Sequence, residues 1–282
     1  MEFTTTTHPG GASLRATALL AGLAASAVAI VATLLAPAAA HAGTVADRVR
    51  ATGSVRVCIW PDYYGITFRN PRTDKLAGID IDLSAALGTD LNARIEYVDS
   101  SFATLVTDLR GDRCDVAMFA VGMLPQRMEQ LRFTQPYMHS DIYAVTTKSN
   151  PVVTQWSDID KPGVQVAVQA GTFMEPVMAA SLKQARLVTV KPPASREREL
   201  EAGRVDVFMT DYPYSRRLLD NADWARLISP PQPFHVLPYA YAVKPGDDRW
   251  LATMDAFVAR IKQDGRLAAA ARRHGLADIV AH

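Results

Sequence analysis

The stretch Gly78-Ile79-Asp80-Ile81-Asp82-Leu83-Ser84-Ala85-Ala86-Leu87-Gly88-Thr89-Asp90-Leu91 sets the reading of the whole chain. From residue 82 to 91, Leu83, Ala86, Leu87 and Leu91 recur at helical spacing behind an acidic first turn. Upstream, Val55-Arg56-Val57-Cys58-Ile59 alternates and is β-branched, which predicts a strand. The connection over 60–77 is turn-rich, with Pro61, Gly65, Asn70-Pro71 and Asp74. Downstream, residues 94–98 read as a second strand, 101–109 as a helix stopped at Gly111, and 115–121 as a third strand. Strands alternating with helices imply parallel sheet built from βαβ units.

The alternation returns after Pro162. Val164-Gln165-Val166-Ala167-Val168 predicts a strand, and Gly171-Thr172 opens a helix over 173–184. A strand at 187–190, a short helix at 196–202 ending before Gly203, and a strand at 205–209 running into Asp211 complete the second series. Residues 247–276 read as a helical tail broken at Gly265. No short repeat and no low-complexity linker separates the two series.

The chain has 282 residues, room for one large or two modest domains. Apolar residues make up 49%, enough for a sizeable core and too many for general disorder. Lys+Arg number 30 against 29 Asp+Glu, so bulk charge does not drive nucleic-acid binding. Two cysteines are too few for a disulfide scaffold or a four-thiolate zinc site. Residues 16–36 form the longest apolar run, and Ala40-His41-Ala42 is an A-x-A cleavage pattern. A signal peptide over 1–42, cut after Ala42, is therefore expected, with an uncleaved membrane anchor as the alternative. Export would place the protein in an oxidising compartment.

The chain lacks G-x-S-x-G, H-E-x-x-H, P-loop and G-x-G-x-x-G motifs. Its six histidines show no ligand spacing, so no metal and no cofactor are expected. The runs Arg196-Glu197-Arg198-Glu199 and Arg272-Arg273-His274 read as solvated helix faces. Polar groups at the C-terminal ends of the strands stand out instead, because open α/β sheets bind ligands there. Arg127 follows the third strand, Thr172 precedes a helix N-terminus, and Asp211 follows the last strand of the second series. One cation, one hydroxyl beside helix-end amides and one carboxylate could hold a zwitterion.

Residues 78–91 resemble the signature of family 3 of the bacterial extracellular solute-binding proteins, with every constrained position filled. Gly122 to Arg127 (GMLPQR) resembles the family segment ending T-x-E-R, and Phe133-Thr134-Gln135-Pro136-Tyr137 its F-S-x-P-Y. Val168-Gln169-Ala170-Gly171-Thr172 resembles V-x-x-G-T. Glu201 to Asp206 together with Asp211 resembles G-x-x-D-A…D, and Lys262-Gln263-Asp264-Gly265 also matches. The resemblance runs in order over residues 50–280. It implies an α/β fold of the type II-like periplasmic-binding-protein kind: two lobes, each a mostly parallel sheet flanked by helices, joined by a two-strand hinge. Carried onto this chain, lobe one is 44–145 plus 241–282 and lobe two is 146–240. The crossings fall near 143–147 and 239–243.

By the same resemblance Arg127 grips a ligand α-carboxylate, Asp211 accepts its ammonium, and Gly171 and Thr172 lie beside them. The structural alternatives are Arg127 paired with Glu129 or Asp141, and Asp211 capping a helix at Tyr212-Pro213. Asp82, Asp115 and Asp206 read as structural. Trp60, Tyr63 and Tyr64 lie in the loop that surrounds the ligand side chain in the family. The chain departs from the family at Gly122 and Leu124, where threonine is usual, and at Phe119, where a small residue is usual. Cys58 and Cys114 lie on strands that neighbour each other in the family's sheet order, so a disulfide is expected between them.

The function implied is periplasmic capture of a small amino-acid-like ligand, delivered to the permease of an ABC transporter. Such a protein is a monomer that closes about its hinge on the ligand; it is not an enzyme and has no nucleic-acid partner. A rival of another class exists on the same fold: cyclohexadienyl dehydratases expel water and carbon dioxide from prephenate or arogenate. That chemistry needs a general acid, for which Glu175 is the candidate, although the dehydratase pattern has its glutamate nearer the threonine. A third reading is a partner that presents ligand to a sensor.

Overall fold

The computed structural model describes residues 44–281. The expected signal peptide and its cleavage after Ala42 lie outside the described residues. No described helix is long and apolar enough to cross a membrane.

Helix α1 (Val45–Thr52) leads into strand β1 (Ser54–Ile59). A small hairpin of β2 (Phe68–Arg69) and β3 (Leu76–Ala77) follows, and then helix α2 (Ile79–Leu91). Helix α2 starts three residues before the expected 82 because Gly78 turns the chain with φ 137°. A β-carbon there would lie 2.1 Å from the Ile66 carbonyl oxygen, so only glycine fits. The helix buries Ile79, Leu83 and Leu87, each worth about 1.5–3 kcal/mol of apolar transfer. Its outer side is tied down through Asp82, which accepts from Arg273 at 2.8 Å and contacts His274 Nε2 at 3.0 Å.

Strand β4 (Arg94–Asp99), helix α3 (Leu105–Arg110), strand β5 (Val116–Gly122), helix α4 (Pro125–Met128) and strands β6 (Arg132–Phe133) and β7 (Met138–Ser140) come next. Helix α3 begins later than the expected 101. Strand β8 (Ile142–Thr147) opens the second sheet. It is followed by β9 (Gln165–Gln169), α5 (Met174–Ser181), β10 (Arg186–Val190), α6 (Arg196–Glu201), β11 (Val207–Asp211), α7 (Tyr212–Asn221) and β12 (Ala225–Ile228). The chain then returns with β13 (Leu237–Val243) and ends in α8 (Asp248–Gln263) and α9 (Arg266–Arg273), separated at Gly265 as expected.

The first sheet has the order β4-β1-β5-β13-β6, with β7 also on β13. Strands β4, β1 and β5 are parallel, while β13 runs antiparallel to β5. The second sheet has the order β10-β9-β11-β8-β12, with a parallel trio followed by antiparallel β8 and β12. In each half the first strand of the trio sits in the middle, so strand order reverses beside it. That reversal opens a crevice at the strands' C-terminal ends.

The passages between the sheets fall earlier than the sequence suggests. Residues 143–147 lie inside β8 of the second sheet, and 239–243 inside β13 of the first. The chain therefore changes sheets at Asp141 and again over 229–236. Both segments read as strands because each is a sheet strand, buried along most of its length.

Cys58 and Cys114 form a disulfide with Cα atoms 5.6 Å apart. Cys114 is not itself in a strand; it precedes β5, and Cys58 pairs in register with Ala117. Nearby, Asp115 accepts from Arg48 and from Arg56, the latter at 2.7 Å, and Asp206 accepts the Gln165 amide at 2.8 Å. Both carboxylates are structural ties.

Candidate functional site

A narrow cleft lies where the two crevices meet. Of the residues singled out by sequence, Trp60, Tyr63, Gly122, Arg127, Thr172 and Asp211 line it. Trp60 follows β1, Gly122 ends β5, Thr172 follows β9 and Asp211 ends β11. Each is therefore delivered by the end of a strand in a parallel trio or by the loop leaving it.

Arg127 sits in the short helix α4 and is buried. It pairs with neither Glu129 nor Asp141. Its Nη1 donates to the Gly122 carbonyl at 3.0 Å, and its Nη2 donates to the Gly171 carbonyl at 2.6 Å, across the cleft. The guanidinium carbon lies 5.1 Å from the centre of the Phe102 ring. Burial pulls its pKa down to about 10, so it stays cationic at neutral pH.

Asp211 caps a helix, as the structural alternative had it, and also accepts bonds from across the cleft. Its Oδ1 accepts the Tyr214 amide at 3.2 Å, capping α7. Its Oδ2 accepts from the Tyr63 phenol and from the Tyr239 phenol, the latter at 2.6 Å. Tyr63 and Tyr239 belong to the first half of the molecule, so these bonds also cross the cleft. Burial raises the Asp211 pKa; the two phenols, the Tyr214 amide and Arg196 oppose that rise. Thr172 is buried, and its hydroxyl donates to the Gln169 carbonyl at 2.7 Å.

Three other expected residues lie off the lining. Tyr64 stacks on Phe68 at 4.3 Å and lines a neighbouring cavity instead. Phe119 is fully buried and meets Phe102 edge-on at 5.1 Å, filling the first half rather than narrowing the cleft. Gly171 (φ 76°) touches the backbone of the other half: a β-carbon there would lie 2.6 Å from the Phe102 carbonyl carbon and the Ala103 nitrogen. At Gly122 a β-carbon would meet Leu237 Cδ2 at 2.4 Å, the tip of a side chain that can turn aside.

The sequence did not single out Phe102, Phe173, Tyr214 or Tyr239 for the cleft, nor Arg196. The run at 196–199 was read as a solvated face. Arg196 is instead 3% exposed and lines the cleft. Arg196 and Leu200, four residues apart on α6, are its two buried residues. That i,i+4 pair was the available signal.

Glu175, the candidate general acid, does not line the cleft. Its Oε2 accepts the Gly171 amide at 2.8 Å and its Oε1 accepts the Thr189 hydroxyl at 3.2 Å, which ties down the start of α5. Among the described residues, Asp211 is the one carboxylate on the cleft lining.

The two halves thus meet over a cleft lined by a buried guanidinium and a buried carboxylate. The chain belongs to the bacterial extracellular solute-binding proteins, family 3, whose profile matches residues 55–277. It is 28% identical over 222 residues to a cyclohexadienyl dehydratase of Pseudomonas aeruginosa, covering 78% of this chain and 82% of that one. It is 24% identical to ABC transporter arginine-binding protein 1 of Escherichia coli, covering 68% and 79%. Its fold is similar to that of the ancestral amino acid-binding protein AncCDT-1, described as a precursor of cyclohexadienyl dehydratase. The TM-score is 0.73 at 26% identity, covering 81% of this chain and 98% of that one. The L-cysteine receptor of Neisseria gonorrhoeae shares the fold with a TM-score of 0.76 at 21% identity, covering 85% and 100%.

Proposed function

We propose that this chain is an exported, periplasmic solute-binding protein. It captures a small amino-acid-like ligand between its two halves, as a monomer, and hands it to the permease of an ABC transporter. One observation carries the reading: Arg127 from one half and Asp211 from the other are buried, oppositely charged and line the same cleft. Arg127 takes the ligand carboxylate as a guanidinium fork, with Thr172 beside it, and Asp211 takes the ammonium. Trp60 and Tyr63 flank the side chain. The phenols of Tyr63 and Tyr239 hold the Asp211 carboxylate in place, and the ammonium joins or replaces one of them. A ligand that touches both halves only when they meet stabilises that arrangement, which is closure by population shift.

A thermal-shift screen against amino acids, opines and small carboxylates tests this, because binding to the native state raises its melting temperature. An α-amino acid should raise it. A rise with plain dicarboxylates alone would remove the amino-acid assignment.

The similarity to a dehydratase supports a second reading, catalysis in the same cleft. The engagement of Glu175 with Gly171 and Thr189 speaks against it, because that carboxylate is tied up off the cleft lining. Incubation with prephenate should yield no phenylpyruvate; turnover would make the protein an enzyme.

A further inference from the structure

Arg196 lies at the first position of α6 and is almost wholly enclosed. Its Nη1 donates to the Met209 carbonyl at 2.6 Å. Its guanidinium carbon lies 5.1 Å from the Phe208 ring centre and 4.8 Å from that of Tyr214. Its Nε is buried and has no hydrogen-bond partner. Its Nη2 stands 3.8 Å from Glu197 Oε1, beyond hydrogen-bond reach, and that oxygen already accepts the Tyr214 phenol at 2.8 Å. Glu197 lines the neighbouring cavity, with Asp62 and Arg198, while Arg196 stands between the two and lines both that cavity and the cleft.

The guanidinium is therefore fixed at one end by a carbonyl and lies close to two rings. Its Nε–Nη2 edge remains, and that edge is a fork that takes a carboxylate through two parallel bonds. Leaving a buried charged donor unmet is costly, so such a group is normally paired. On the cleft lining, two guanidiniums face one carboxylate. A simple zwitterion uses Arg127 and Asp211 and leaves Arg196 with the 3.8 Å approach to Glu197, already bonded to Tyr214.

We infer that Arg196 is a second anion-reading point of the cleft, and that the ligand is an α-amino acid bearing a second carboxylate. The inference rests on the zwitterion clamp proposed above for Arg127 and Asp211. It also separates this chain from its arginine-binding relatives, since a cationic side chain would meet like charge at Arg196.

Calorimetric titration with glutamate, aspartate, glutamine, asparagine and arginine tests it. In the wild type the better-bound acid should bind at least about tenfold tighter than its own amide, and arginine weaker than both. Arg196→Gln should bring the acid-to-amide ratio close to one. Arg196→Lys keeps the charge without the fork, and should give an intermediate ratio. Amides or arginine binding as tightly as the acids in the wild type would overturn the inference while the clamp stood. So would a ratio unmoved by Arg196→Gln. Binding of no α-amino acid at all would overturn the clamp and this inference together. Should Arg196→Gln fail to fold, the wild-type ratio and Arg196→Lys decide.

Discussion

Two buried aspartates in this molecule have the same kinds of partner, two phenols and one backbone amide each. Asp80 accepts from the phenols of Tyr137 at 2.6 Å and Tyr241 at 3.0 Å, and from the Ala120 amide at 3.0 Å. Asp211 accepts from the phenols of Tyr63 and Tyr239 and from the Tyr214 amide. The chemistry is the same; the ownership of the partners is not. Every partner of Asp80 belongs to the first half, and Asp80 does not line the cleft. Asp211 belongs to the second half, takes both phenols from the first, and lines the cleft. A buried carboxylate satisfied within one half fastens that half. One satisfied across a cleft reports whether the halves have met.

The comparison is tested most severely by removing the carboxylate from the cleft. Asp211→Ala should weaken binding of an α-amino acid by about 2–5 kcal/mol, on the order of 30- to several-thousand-fold. It should weaken plain carboxylates far less, whereas Arg127→Ala should weaken both. Calorimetry reads each loss, and a change under about twofold would return the residue to a structural role.

The matching experiment on Asp80 reads stability. Burial raises its pKa to about 6 against the three donors that lower it. Between the unfolded value near 4 and the folded value near 6, the native state binds more protons than the unfolded chain. Stability must therefore fall as pH rises through that window, by about 3 kcal/mol from this group. Denaturant titrations of wild type and Asp80→Asn at pH 4 and pH 7 isolate the effect. The wild-type advantage over the variant should shrink by about 2 kcal/mol between these two pH values, and a pH-independent difference would contradict it.

Gly171 tests the meeting of the halves. In Gly171→Ala the new carbon strikes the Phe102–Ala103 backbone of the other half, at 2.6 Å. Ligand affinity should drop by about 10- to 100-fold, or 1–3 kcal/mol. Unchanged affinity in a titration would mean that ligand is held without this approach.

The smallest effects belong to the phenols. Tyr137→Phe removes a donor from Asp80 and should cost about 2 kcal/mol of unfolding free energy. Tyr63→Phe loosens the hold on Asp211 and should weaken ligand binding about fivefold, with less change in stability. If the two variants behaved alike in melts and titrations, the contrast between the aspartates would fail.

Much of this arrangement was legible in the sequence. The apolar spacing of Leu83, Leu87 and Leu91 marks α2, and strand-end polar residues mark Arg127, Thr172 and Asp211. Those signals are local, and local physics fixes them. What escaped depends on which face meets which. Arg196 hides in a charged run because charge predicts solvent, and only its register with Leu200 betrays burial. Tyr239 sits at a β13 position paired with Gly122, a neighbour set by sheet order rather than by sequence distance. The sheet-to-sheet passages shifted because a hinge segment and a buried strand share the same β-branched and aromatic composition.

Small-angle scattering on the protein with and without a saturating ligand, verified by calorimetry, tests the central claim directly. Arg127 and Asp211 come from different halves, so ligand bound to both must draw those halves together. The radius of gyration should fall on ligand addition. A radius unchanged at saturation would contradict closure and leave the cleft a rigid pocket.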